Sequence, residues 1–203
     1  MRAHLVSYLP RGDRSVTRRL LAAAESALPT GTQIDRLELS TDIPELFDPP
    51  RLWAYINRQY LGNTQDPAQQ NLMSGMEDLV LRLLRTDLLI LASPMYNFSL
   101  PAITKAWFDA VMLKGFTWDI DPEKGYVGRC QGRRAIVLAS SGGIYEGDWA
   151  SHDLFTPLVK IEFDFMGFDR TEVVLAGGMG MRTEAEKEQE IQRAELEAKR
   201  LVG

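Results

Sequence analysis

The residues Ser93-Pro94-Met95-Tyr96-Asn97-Phe98-Ser99-Leu100-Pro101 carry side chains suited to holding a flat ligand with polar edges. Met95, Tyr96 and Phe98 offer apolar and aromatic surface, and Asn97 adds an amide that both donates and accepts. A plain connection between two elements needs only about two to six residues and no exposed Met, Tyr or Phe. Two further stretches have complementary chemistry. Ser7 closes one short apolar run, and Ser15-Val16-Thr17 opens a helical pattern after Pro10 and Gly12. The free N–H groups at such a helix start, flanked by hydroxyls, suit a phosphate. This is not a P-loop, since Gly-Lys-Ser/Thr is missing. Ser15 acting purely as an N-cap weighs equally at this point. The third stretch is Ser140-Ser141-Gly142-Gly143-Ile144-Tyr145, where paired glycines let the backbone lie flat against a ligand or simply make a turn.

The elements around these stretches place them at one edge. Apolar runs at 3–7, 32–39, 87–92, 134–139 and 171–176 read as buried strands. Helical periodicity lies between and after them. Val16, Leu20, Ala24 and Leu28 share one face, as do Ile103, Trp107, Ala110 and Val111. Pro49-Pro50 is expected to stop regular structure, with a short helix over 52–56. Asp66-Pro67 starts a helix toward Arg85, where Ser74 and Glu77 form an internal restart. Thr156-Pro157 begins another helix, and Thr183 with Glu186 caps the last. The polar stretch from 121 to 132 reads as a long loop, and Gly178-Met179-Gly180 as a turn, because the third glycine of a dinucleotide fingerprint is missing.

Five alternations of strand and helix predict a doubly wound α/β protein with a parallel sheet in the flavodoxin-like order 2-1-3-4-5. One such domain is expected to span 1–203. Ligands of these sheets bind at the carboxyl ends of the strands, at the switch point between strands one and three. The three stretches converge there. A phosphate cradle, an aromatic and amide-bearing groove and a flat glycine backbone together match the needs of FMN.

Composition narrows the function classes. A net charge of −5 over 203 residues argues against nucleic-acid binding and against attachment to anionic lipid. The single cysteine, Cys130, cannot form an internal disulfide. No secretory or bilayer-spanning run is legible, so a cytoplasmic protein is expected, with no membrane and no nucleic-acid partner.

The 93–101 block, followed by Lys105 and Trp107-Phe108-Asp109, resembles the hallmark of FMN-dependent NAD(P)H azoreductases, also called FMN-dependent NADH:quinone oxidoreductases. The resemblance continues through Gly115-Phe116-Thr117-Trp118, Gly142-Gly143-Ile144, Thr156-Pro157 and Phe165-Met166-Gly167-Phe168. It implies a homodimer that takes hydride from NADH or NADPH and passes two electrons to a quinone or azo compound by a ping-pong mechanism. It assigns the FMN phosphate to Ser15, Val16 and Thr17, with Ser7 near. The isoalloxazine falls to Pro94, Met95, Tyr96, Asn97 and Phe98, its pyrimidine side to Ser140, Ser141, Gly142 and Gly143, and its rim to Tyr145. Phe165 is implied to reach the partner's pocket, and Ile120 lies in a substrate loop where many members carry an aromatic residue. Arg14, just before Ser15, is a further departure.

Three rival classes read less well. A flavodoxin-type electron carrier shares the fold but needs neither a substrate pocket nor the Phe163–Phe168 aromatic cluster. A metal-dependent phosphodiesterase needs a His/Asp cluster, and only His4 and His152 are present. A regulatory binding protein on this fold would lack flavin.

Overall fold

The computed structural model describes residues 1–203. Its strands are β1 (Arg2–Ser7), β2 (Gln33–Glu38), β3 (Leu88–Ala92), β4 (Trp118–Asp121), β5 (Gly125–Gly128), β6 (Arg134–Ser140) and β7 (Arg170–Ala176). Its helices are α1 (Val16–Ser26), α2 (Pro49–Gln59), α3 (Pro67–Leu84), α4 (Ala102–Val111), α5 (Phe155–Phe165) and α6 (Glu184–Val202).

Five strands form a parallel sheet in the order β2-β1-β3-β6-β7, the expected doubly wound, flavodoxin-like topology. The central strand β3 is buried throughout. Its alternate residues feed two cores. Leu88, Ile90 and Ala92 pack with Leu20 and Ala24 of α1 and with Ile191, Ala194 and Ala198 of α6. Leu89 and Leu91 pack with Met76 and Val80 of α3, Trp107 and Phe108 of α4 and Phe163 of α5. The register pairs Ser7 with Ala92, Ala92 with Leu138 and Ser140 with Ala176, so the carboxyl ends of four strands finish close together. No helix is long and apolar enough to cross a membrane.

Three local expectations are corrected. Pro49 and Pro50 do not stop regular structure. They form the first turn of α2, where a missing N–H costs nothing, and Asp48 caps it by accepting from the Arg51 N–H at 2.9 Å. Helix α3 runs unbroken past Ser74, whose hydroxyl donates to the Asn71 carbonyl at 2.9 Å instead of capping a new start. The 121–132 stretch is not one long loop, because β4 and β5 pair as an antiparallel hairpin. Its turn is built by the Asp121 carboxylate, which accepts from the Glu123 and Lys124 N–H groups at 2.9 Å, and by Gly125 at φ 78°.

The hairpin is anchored by aromatic contact. Trp118 sits 5.7 Å from Tyr126 and 5.3 Å from Phe165 between ring centroids. Gly128 makes the close approach possible: a Cβ there would lie 2.3 Å from the Gly167 nitrogen. Cys130 lies buried beneath, its thiol pushed up to about 11 by burial, which makes it a core residue and not a nucleophile.

Candidate flavin crevice

At the carboxyl edge of the sheet, β1, β3 and β6 each release a loop. Ser15 caps α1 by accepting from the Arg18 N–H at 3.2 Å. The N–H groups of Val16 and Thr17, the first of the helix, then point out of its end without intrahelical partners. The Thr17 hydroxyl lies 2.9 Å from the Ser140 hydroxyl, tying the start of α1 to the end of β6.

The loop after β3 is held at both ends. Met95 donates its N–H to the Ser140 carbonyl at 2.9 Å, and Ser93 shares a 2.9 Å hydroxyl contact with Thr104 of α4. Between them the chain makes a tight turn, with Tyr96 and Ser99 exchanging backbone bonds of 2.9 and 3.0 Å. Its two central residues, Asn97 at φ 47° and Phe98 at φ 72°, are the only non-glycine residues with positive φ. Asn tolerates this region, whereas Phe is strained in it, and strain of this kind persists where the surrounding structure over-determines it. Here the Leu154 N–H donates to the Phe98 carbonyl at 3.0 Å. The Phe98 ring packs edge-on to Tyr145 at 6.1 Å and lies 5.7 Å from His152. The turn leaves the Asn97 and Phe98 N–H groups without an acceptor in the chain.

The glycine loop after β6 is braced by the β7–α6 connection. The N–H groups of Gly178, Met179 and Gly180 donate to the carbonyls of Gly143, Ser141 and Gly142 at 2.8, 2.9 and 2.9 Å. Those three carbonyls are thereby paired within the chain, and the N–H groups of Gly142 and Gly143 remain unpaired.

Pro10, Arg11, Ser15, Val16, Pro94, Met95, Tyr96, Ser140, Ser141, Gly142, Met179 and Gly180 line a crevice of about 240 Å³. The lining contains no carboxylate, and the positive end of the α1 dipole faces it, an environment that favours an anion. Beside it, the Tyr8 phenol packs edge-on to Tyr96 at 6.2 Å, and burial, reinforced by Tyr96 and Glu38, raises its pKa. A larger depression of about 560 Å³ opens at the opposite edge, among Arg2, Gln33, Asp35, Arg82 and Thr86. It lies at the amino ends of the strands, where neither helix N-termini nor the strained turn point.

Eight residues singled out from sequence therefore share one wall: Ser15, Val16, Pro94, Met95, Tyr96, Ser140, Ser141 and Gly142. Thr17, Asn97, Phe98, Gly143 and Tyr145 stand directly behind or beside it. Three others are elsewhere. The Ser7 hydroxyl donates to Glu38 at 2.8 Å, and Ser7 borders a separate depression with Leu9 and Arg36. Ile120 is exposed on β4, and Phe165 packs against Trp118 and Tyr126. Pro10, Arg11, Met179 and Gly180 went unrecognised in the sequence. The missing signal for the last two was topological: β7 neighbours β6 in the sheet, so its loop must leave at the same edge.

This architecture defines a flavodoxin-like protein with a ligand crevice at its switch point, and residues 1–202 match the family described as having a flavodoxin-like fold. An FMN-dependent NADH:quinone oxidoreductase of Stenotrophomonas maltophilia is 36% identical over 168 residues, covering 83% of this chain and 80% of the relative. One of Shewanella loihica is 34% identical over 142 residues, covering 70% of each chain. The chain belongs to this flavodoxin-like family, among the FMN-dependent NADH:quinone oxidoreductases. In fold it is similar to the solved FMN-dependent NADH-azoreductase of Bacillus anthracis in complex with FMN, with a TM-score of 0.86 over 100% of both chains at 24% identity.

Proposed function

We propose that this protein is an FMN-dependent oxidoreductase that oxidises NADH and reduces quinones or azo compounds, and that the crevice described above holds the FMN. The observation that carries this reading is a cradle open where the cofactor requires it. A Cβ built on Gly142 meets nothing within 4 Å, so the wall there is bare backbone facing free space. Val16 and Gly142, whose N–H groups have no acceptor in the chain, line that space, and the unpaired N–H groups of Thr17, Asn97, Phe98 and Gly143 belong to residues next to its lining.

The roles divide by chemistry. Val16 and Thr17 N–H groups with the Ser15 hydroxyl would hold the phosphate at the α1 terminus. Pro94, Met95 and Tyr96 supply the apolar floor, and Asn97 and Phe98 the amide edge. The N–H groups of Gly142 and Gly143, which have no acceptor in the chain, would serve as donors to negative charge on the reduced ring. Bound FMN supplies the hydride and electron transfer itself. No side chain of the crevice lining is a carboxylate or histidine, so the protein's part is binding, orientation and water exclusion.

The reading includes a homodimer. In that dimer Ile120 and Phe165, which do not line the crevice of their own chain, would face the partner's flavin. The hairpin supports this by presenting Ile120 and Tyr126 to the surface, 48% and 67% exposed. A cytoplasmic location fits a chain with one buried thiol.

One crevice serving donor and acceptor in turn predicts double-displacement kinetics. Initial-rate plots against NADH at several fixed quinone concentrations are expected to be parallel. Intersecting lines would mean that both substrates bind together and would refute the shared-crevice account. Failure to oxidise NADH with any small acceptor would favour the electron-carrier reading.

A further inference from the structure

We propose that Arg11 is the cationic clamp for the cofactor phosphate, and that it makes this crevice prefer FMN over unphosphorylated riboflavin. The inference rests on the flavin reading above and extends it to a residue which that reading leaves without a role. Four arginines crowd the start of α1: Arg11, Arg14, Arg18 and Arg19. Three are otherwise engaged or placed elsewhere. Arg19 pairs with Glu188 at 2.7 Å and Glu195 at 2.9 Å on α6. Arg18 donates to the Gly12 carbonyl at 3.1 Å and borders the depression behind α1. Arg14 is exposed and does not line the crevice.

Arg11 does line it, alongside Ser15 and Val16, and is the only charged residue among the twelve that do. Its guanidinium has no carboxylate partner within the chain, so its donors are uncommitted. The backbone beneath it is fixed. The Leu9 N–H donates to Glu38 at 3.1 Å, the Gly12 N–H to the Leu9 carbonyl at 2.9 Å, and the Arg14 N–H to the Arg11 carbonyl at 3.2 Å. Gly12, at φ 56°, lets the chain turn there. A guanidinium fork on a fixed root, beside a helix N-terminus and with no competing carboxylate, is the arrangement that recognises a phosphate dianion.

Stripped wild-type protein, Arg11→Ala, Arg11→Lys and Arg14→Ala are titrated with FMN and with riboflavin, following flavin fluorescence at low and moderate salt. Arg11→Ala is expected to weaken FMN roughly ten-fold or more, as loss of a charge-assisted bond does, while riboflavin binding and the circular dichroism spectrum stay as in wild type. Arg11→Lys should restore part of the loss, Arg14→Ala should match wild type, and the salt dependence of FMN binding should flatten only in Arg11→Ala. If Arg11→Ala leaves FMN binding unchanged, or weakens FMN and riboflavin equally, Arg11 is not the phosphate clamp. Unchanged FMN binding with a raised KM for NADH would reassign Arg11 to the donor nucleotide and likewise overturn the proposal. Wild-type protein that takes up neither flavin would overturn the flavin reading itself.

Discussion

Gly142→Val is expected to weaken FMN binding by roughly a hundred-fold while the protein remains folded. A β-branched side chain at this position projects from the crevice wall into space that no atom of the chain occupies within 4 Å. The fold has no reason to resist, because Gly142 is not in the left-handed region and its carbonyl bond to the Gly180 N–H at 2.9 Å is independent of the side chain. Stability should change by less than about 1 kcal/mol, as for most changes that fill only solvent. Flavin affinity should fall by roughly a hundred-fold, the scale of forcing extra carbons into a filled site. Thermal unfolding without flavin and fluorescence titration with FMN separate the two effects. A Gly142→Val protein that binds FMN as tightly as wild type would show that the cofactor does not lie against this backbone.

The second large effect is on stability against acid. His4 is fully buried in β1, its Nδ1 3.0 Å from an Asp35 carboxylate oxygen that also accepts from the Arg82 guanidinium at 2.8 Å. Burial lowers its pKa from the ordinary 6.5 to about 4, the attraction of Asp35 only partly offsetting it, with Arg82 lowering it further. The folded protein therefore holds His4 neutral while the unfolded chain binds a proton below pH 6.5. Stability is intact above that pH, falls as the pH drops from 6.5 toward 4, and loses nothing more from this group below about 4. The whole loss is about 3 kcal/mol at ~1.4 kcal/mol per pH unit. Urea unfolding of wild type between pH 7 and 4.5 should show this slope, and His4→Leu should remove it. Equal acid sensitivity in the two proteins would show that His4 is not held neutral.

Much of the fold was legible because the sheet is buried on both sides. The runs read at 87–92 and 134–139 lie within one residue of the observed strands Leu88–Ala92 and Arg134–Ser140, which are buried on both faces apart from the half-buried ends of the second. The crevice was legible for the same reason, since helix-start hydroxyls, an aromatic loop and paired glycines each sit at a strand end. Features that depend on partners distant in sequence were not. The hairpin of β4 and β5 is held by Trp118 against Phe165, a contact across 47 positions that no local pattern reveals. Pro49-Pro50 read as a stop because a proline pair suits a breaker and a first turn equally, and only the Asp48 cap decides. Gly178-Met179-Gly180 read as a plain turn because its role is to brace residues 141–143 through backbone bonds, which leave no side-chain signature.

The central claim is that the crevice is a working flavin site. Its most direct test is the visible spectrum of the purified protein under anaerobic conditions, recorded alone, after NADH and after a subsequent quinone such as menadione. The account predicts a yellow protein that NADH bleaches and the quinone restores. A colourless protein that does not take up added FMN would contradict the crevice assignment, and a yellow protein that NADH leaves unbleached would contradict the enzymatic one.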